Sequence, residues 1–66
     1  MESLKNDRGT VFKVGDGVML KKSLRHEDSD TAKIRNFYDN IDGGVVLDRH
    51  IAGFRSWNIN DLVRAR

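Results

Sequence analysis

The chain has no cysteine and no proline, and only one tryptophan and one tyrosine. Without cysteine there is no disulfide to staple the fold and no thiolate to hold a metal. The two histidines, His26 and His50, have no second His or Cys at ligand spacing. No apolar run approaches the roughly 18 residues that a membrane span needs. Met1 to Thr10 lack the apolar stretch of a secretory signal. With the absence of cysteine, this sets the expectation of a cytoplasmic or otherwise intracellular protein.

Catalytic signatures are equally thin. Gly15-Asp16-Gly17 and Gly43-Gly44 precede neither a helix nor a Lys-Ser/Thr pair, so they read as turns rather than phosphate loops. The acids Asp28 and Asp30 fall in a polar loop that cannot hold acid–base geometry. The expectation is a protein that binds rather than catalyses, without metal or cofactor.

What is present is a lean apolar fraction, 38%, beside 33% charged residues. This is still within the globular range. Sixty-six residues make one domain, and a chain so short buries only about 60% of its unfolded surface. A homodimer would add to a marginal core. Lys and Arg outnumber Asp and Glu by 12 to 10, a mild excess, but seven of the twelve are arginine, which suits bidentate and stacking contacts.

The apolar residues recur with period two between clusters of turn residues. Residues 1–10 are polar and aperiodic and read as a flexible tail, leaving 11–66 as the folded unit. Val18-Met19-Leu20 reads as a strand after the Gly15-Asp16-Gly17 turn. Ser23 to Asp30 reads as a loop. Thr31 to Tyr38 alternates until Asn36-Phe37-Tyr38, which marks a bulge or a strand end. Asp39 to Gly44 is the strongest turn signal, followed by a strand at Val45–Asp48, a turn at His50–Gly53 and a strand at Phe54–Trp57. Asn58 to Asp61 fits one 3₁₀ turn, and Leu62 to Arg66 closes as a fifth strand. Five short strands predict an all-β barrel.

Alternation turns Val18, Leu20, Ala32, Ile34, Val45, Leu47 and Phe54 inward, with Ile59 and Leu62 plugging the end and Val63 and Ala65 completing the core. It sends Lys33 and Arg35 outward and puts Arg55 on one face with Trp57. That reading yields an outward indole among cations, with Arg49 or Arg64 at the rim, a surface suited to phosphate and base stacking. Lys21, Lys22 and Arg25 form a second basic cluster, countered by Glu27, Asp28 and Asp30. Phe37, Tyr38 and Trp57 form a candidate aromatic pocket, with Asp39 as its acid; Phe37 in the core with Tyr38 as its cover is the simpler arrangement.

The order of these elements resembles the five-stranded SH3-like barrel. Phe12-Lys13-Val14-Gly15-Asp16-Gly17-Val18 is similar to the hydrophobic-x-x-Gly-Asp-x-Val opening of Tudor-like and KOW-like modules, chromatin-associated BAH domains and retroviral integrase C-terminal DNA-binding domains. Phe54 to Ala65 resembles the last strand pair of that fold, joined by its one-turn 3₁₀ connector, an arrangement comparable to that of a small accessory protein of photosystem I. The resemblance covers roughly residues 12 to 66 and implies a small binding module. Nucleic acid is the expected ligand, DNA before RNA; the alternative is a protein-interaction module or accessory subunit of a larger complex.

Overall fold

The computed structural model describes residues 3–24 and 30–65. The chain is all-β, with two single 3₁₀ turns. Among the described residues seven strands form: β1 (Ser3–Lys5), β2 (Val11–Lys13), β3 (Gly17–Leu20), β4 (Ala32–Phe37), β5 (Gly44–Ile51), β6 (Phe54–Asn58) and β7 (Leu62–Arg64). Five of them make one curled, half-barrel sheet in the order β6-β5-β4-β3-β7; β1 and β2 pair separately. Each of these pairings is antiparallel. Among the described residues no helix is long and apolar enough to cross a membrane.

The concave side of the sheet holds the core. Phe12, Val18, Ile34, Val45, Leu47, Ile59 and Leu62 are fully buried, and Leu20, Ala32, Phe37 and Ile51 nearly so. Each large apolar side chain removed from water contributes about 1.5–3 kcal/mol. The 3₁₀ turn Ile59–Asp61 seats Ile59 in this core, and the Asn58 side chain caps it by accepting from the Asn60 amide at 2.9 Å. Period-two burial in β4 alternates Ala32 and Ile34 inward with Lys33 outward, as the pattern demands.

Three features depart from the sequence reading. The polar start is strand and turn from Ser3 onward, because Asn6 supplies the turn chemistry. Its side chain is buried and its Oδ1 accepts from the amides of Arg8 and Thr10 at 3.0 and 2.9 Å. Gly9, at φ +86°, closes the loop. The Asp7 amide then donates to Asn60 Oδ1 at 2.8 Å, fastening the hairpin to the 3₁₀ turn. Lys22–Leu24 is a 3₁₀ turn rather than plain loop. Phe54, expected inward, is 64% exposed, while Val63 and Ala65 are half-buried.

The exposure of Phe54 has a local cause. β5 runs on to Ile51, and the β5–β6 turn is only Ala52-Gly53, both at positive φ (52° and 86°). This is the geometry of a two-residue hairpin turn. The register shifts between the Val46–Ser56 and Ile51–Phe54 pairs, with four β5 residues set against Arg55 alone. Alternation counted through such an irregularity loses its phase.

Candidate functional site

Two rows of side chains cross β4, β5 and β6, one on each face. Phe37 pairs with Val45, which pairs with Trp57. Directly paired residues share a face, so this row lies on the core side; Phe37 and Val45 are buried and Trp57 packs half-buried against the core. Asn36 pairs with Val46 and Val46 with Ser56 on the other face.

The candidate aromatic pocket therefore does not assemble. Tyr38 follows Phe37 on the chain and turns to the opposite face. Its hydroxyl lies 2.7 Å from Ser56 Oγ. Its ring occupies the space above Gly44, where an added Cβ would come within 2.8 Å of Tyr38 Cδ2. Tyr38 thus braces the outer sheet, and Phe37 and Trp57 line the inner one.

The same geometry separates Trp57 from Lys33 and Arg35. The indole is on the core side at the sheet's edge, while Lys33 and Arg35 are exposed on a strand whose Ala32 and Ile34 fill the core. The indole is held by its own strand: Nε1 donates to the Phe54 carbonyl oxygen at 3.1 Å. Phe54 meets it edge-on, with centroids 6.1 Å apart and planes at 90°. The exposed ring of this region is Phe54.

The cations divide into engaged and free. Arg64 donates to the Val11 carbonyl at 2.7 Å, pairs with Asp16 at 3.4 Å and lies over the Phe12 ring at 5.3 Å, so it closes the core's mouth. Lys21 pairs with Asp61 at 3.5 Å. Arg49 approaches Asp48 at 3.8 Å, but Asp48 Oδ1 also accepts from the Lys33 amide at 2.9 Å. Among the described residues, Lys33, Arg35 and Arg55 have no ion-pair partner, and all three are exposed. Arg35 sits in the bulge between the Ile34–Leu47 and Asn36–Val46 pairs, and Arg55 flanks the same stretch of β5 from the other side. Two strand spacings put their backbones about 10 Å apart.

Lys22 is exposed on its 3₁₀ turn and Asp30 is exposed before β4; Arg25, Glu27 and Asp28 of that charged loop lie outside the described residues, as does His26. The carboxylates near the sheet are engaged in structure: Asp16 accepts from the Lys13 amide at 2.9 Å within the Val14-Gly15 turn. Among the described residues, no three His, Asp or Glu come together to hold a metal ion.

Phe54 and its surroundings are the part that sequence reasoning misses. The usable signal is the pair Ala52-Gly53, which shortens the turn and carries β5 through His50 and Ile51. Comparison with protein-family models, with curated proteins and with solved structures finds no significant match.

Proposed function

We propose that this chain is an SH3-like barrel that works as a non-catalytic nucleic-acid-binding module. The barrel reading is supported by the sheet order β6-β5-β4-β3-β7, with one 3₁₀ turn before the last strand. The functional reading is carried by one observation: Lys33, Arg35 and Arg55 stand exposed on β4 and β6 without acidic partners among the described residues. Unpaired cations on one sheet neutralise phosphates and release counterions. Arg49 stands between them on β5. Asp16 and Asp48 accept from backbone amides and Asp61 pairs with Lys21.

Affinity in this reading comes from phosphate contacts, with DNA the first ligand to test. Retention on DNA should fall steeply as salt rises, with a log–log slope of about −3, roughly −0.9 for each of three or four phosphates contacted. Arg55→Glu should weaken binding about tenfold and flatten that slope. Retention that is the same at low and high salt would remove this function.

A second reading has its own support. β6 lies at the sheet's end and pairs only with β5. Its free edge suits an added strand from a protein partner. Binding to a purified partner that survives both nuclease and high salt would favour that reading over the first.

A further inference from the structure

We infer that the tip of the β5–β6 hairpin takes single-stranded rather than duplex nucleic acid, with Phe54 as the platform for a base; this rests on the nucleic-acid reading above. The premise is a large aromatic ring placed where the fold gains nothing from burying it. Among the described residues, Phe54 is the most exposed of the large apolar side chains, at 64%. It follows directly on the tight Ala52-Gly53 turn, whose Ala52 holds a positive φ that an L side chain adopts at a cost. Backbone strain of this kind persists where surrounding structure enforces it, and it often marks binding sites.

The ring is also held in place. Trp57 stands perpendicular to it, with ring centroids 6.1 Å apart, and the Trp57 indole is itself fixed by its hydrogen bond to the Phe54 carbonyl. A perpendicular pair cannot offer two parallel faces to one base. Phe54 is left largely in solvent, and Trp57 buttresses it. Arg55 is next in the chain, and Arg49, which approaches Asp48 at 3.8 Å, is exposed on the paired strand.

That combination discriminates between polyanions. A duplex shows its phosphates outward and keeps its base faces inside the stack, so it can use the arginines and leaves the ring idle. A single strand offers each base's face alongside its phosphate, and one stacked base is enough to use both features. An acidic peptide matches the charge and has no flat ring system to lay on Phe54.

The tryptophan is unique in the chain and lies against the proposed platform, so its fluorescence reports the event. The full chain is titrated with a short oligothymidine, with the same length of duplex and with polyglutamate. The oligothymidine should quench Trp57 saturably and bind about tenfold more tightly than the duplex. Phe54→Ala should weaken oligothymidine binding about tenfold and leave duplex binding unchanged. Ile41→Ala removes another exposed apolar side chain, in the β4–β5 turn, and should change neither. Circular dichroism on each variant verifies that the sheet is intact. If Phe54→Ala leaves oligothymidine affinity untouched while Arg55→Glu abolishes it, the stacking inference fails and the nucleic-acid reading stands. If polyglutamate binds as tightly as oligothymidine, the base has no role and the inference fails. If neither nucleic acid binds, both readings fall together.

Discussion

The two ends of the β4–β5–β6 sheet are built differently. At the turn joining β4 to β5, the aromatic residue is spent on the fold: Tyr38 covers Gly44 and meets Ser56 across the sheet. Gly43, at φ +75°, leaves only enough room for the Asn58 side chain, and its carbonyl accepts from the Ile59 amide at 2.7 Å. At the other end, joining β5 to β6, the aromatic residue stands in water and the turn is strained at Ala52. The first end carries Asp39 and Asp42, the second Arg49 beside Asp48, and Arg55. One end is closed by packing and the other exposes its ring, where the proposed function seats the ligand, so substitutions at the two ends should have different consequences.

The largest loss of stability is expected at the closed end. Gly44→Ala drives a methyl into Tyr38 and Ile41, whose atoms would lie 2.8 and 3.1 Å away, and should cost about 1–3 kcal/mol in urea unfolding. Ligand affinity should be retained wherever the protein remains folded. Next, Phe54→Ala should cost less, about 0.5–1 kcal/mol from the lost edge contact with Trp57, while producing the main loss of oligothymidine binding. A Phe54→Ala variant as unstable as Gly44→Ala would erase the contrast. Tyr38→Phe removes only the hydroxyl that meets Ser56 and should lower stability by roughly 0.5 kcal/mol, an exposed hydrogen bond's worth. Smallest of all, Ala52→Asn relieves the left-handed residue in the Ala52-Gly53 turn and should stabilise slightly, by a few tenths of a kcal/mol, seen as a raised unfolding midpoint. A lowered midpoint would contradict a left-handed backbone at that position.

Much of this contrast is legible in the sequence, and the reason is periodicity. Ala32, Ile34, Val45 and Leu47 keep strict alternation, and each is buried. The Asp42-Gly43-Gly44 turn and the 3₁₀ turn after Asn58 also follow from residue type alone. What does not carry over is phase. The bulge at Arg35, signalled by the broken alternation at Asn36-Phe37-Tyr38, and the four residues of β5 set against Arg55 both shift the count, and alternation by itself does not say by how much. Alternation therefore places Phe54 in the core and Trp57 on the outer face, and both are the reverse. The N-terminal hairpin escapes for another reason: its strands are three residues each, too short for a period to show, and its stability lies in the hydrogen bonds of Asn6.

The unpaired cations of β4 and β6 are expected to be exposed, and they are. Lys33 and Arg35 do not group with the indole, because the sheet lies between them, whereas Arg55 shares β6 with it. The aromatic partner proposed for the basic surface is a residue that alternation hides.

Backbone amide shifts during titration with oligothymidine test the central claim directly, since each end of the sheet reports separately. The largest shifts are expected from Arg49 through Trp57, smaller ones at Lys33 and Arg35, and none from Tyr38 through Gly44. Shifts concentrated in the Tyr38–Gly44 turn, or shifts absent throughout at low salt, would contradict it.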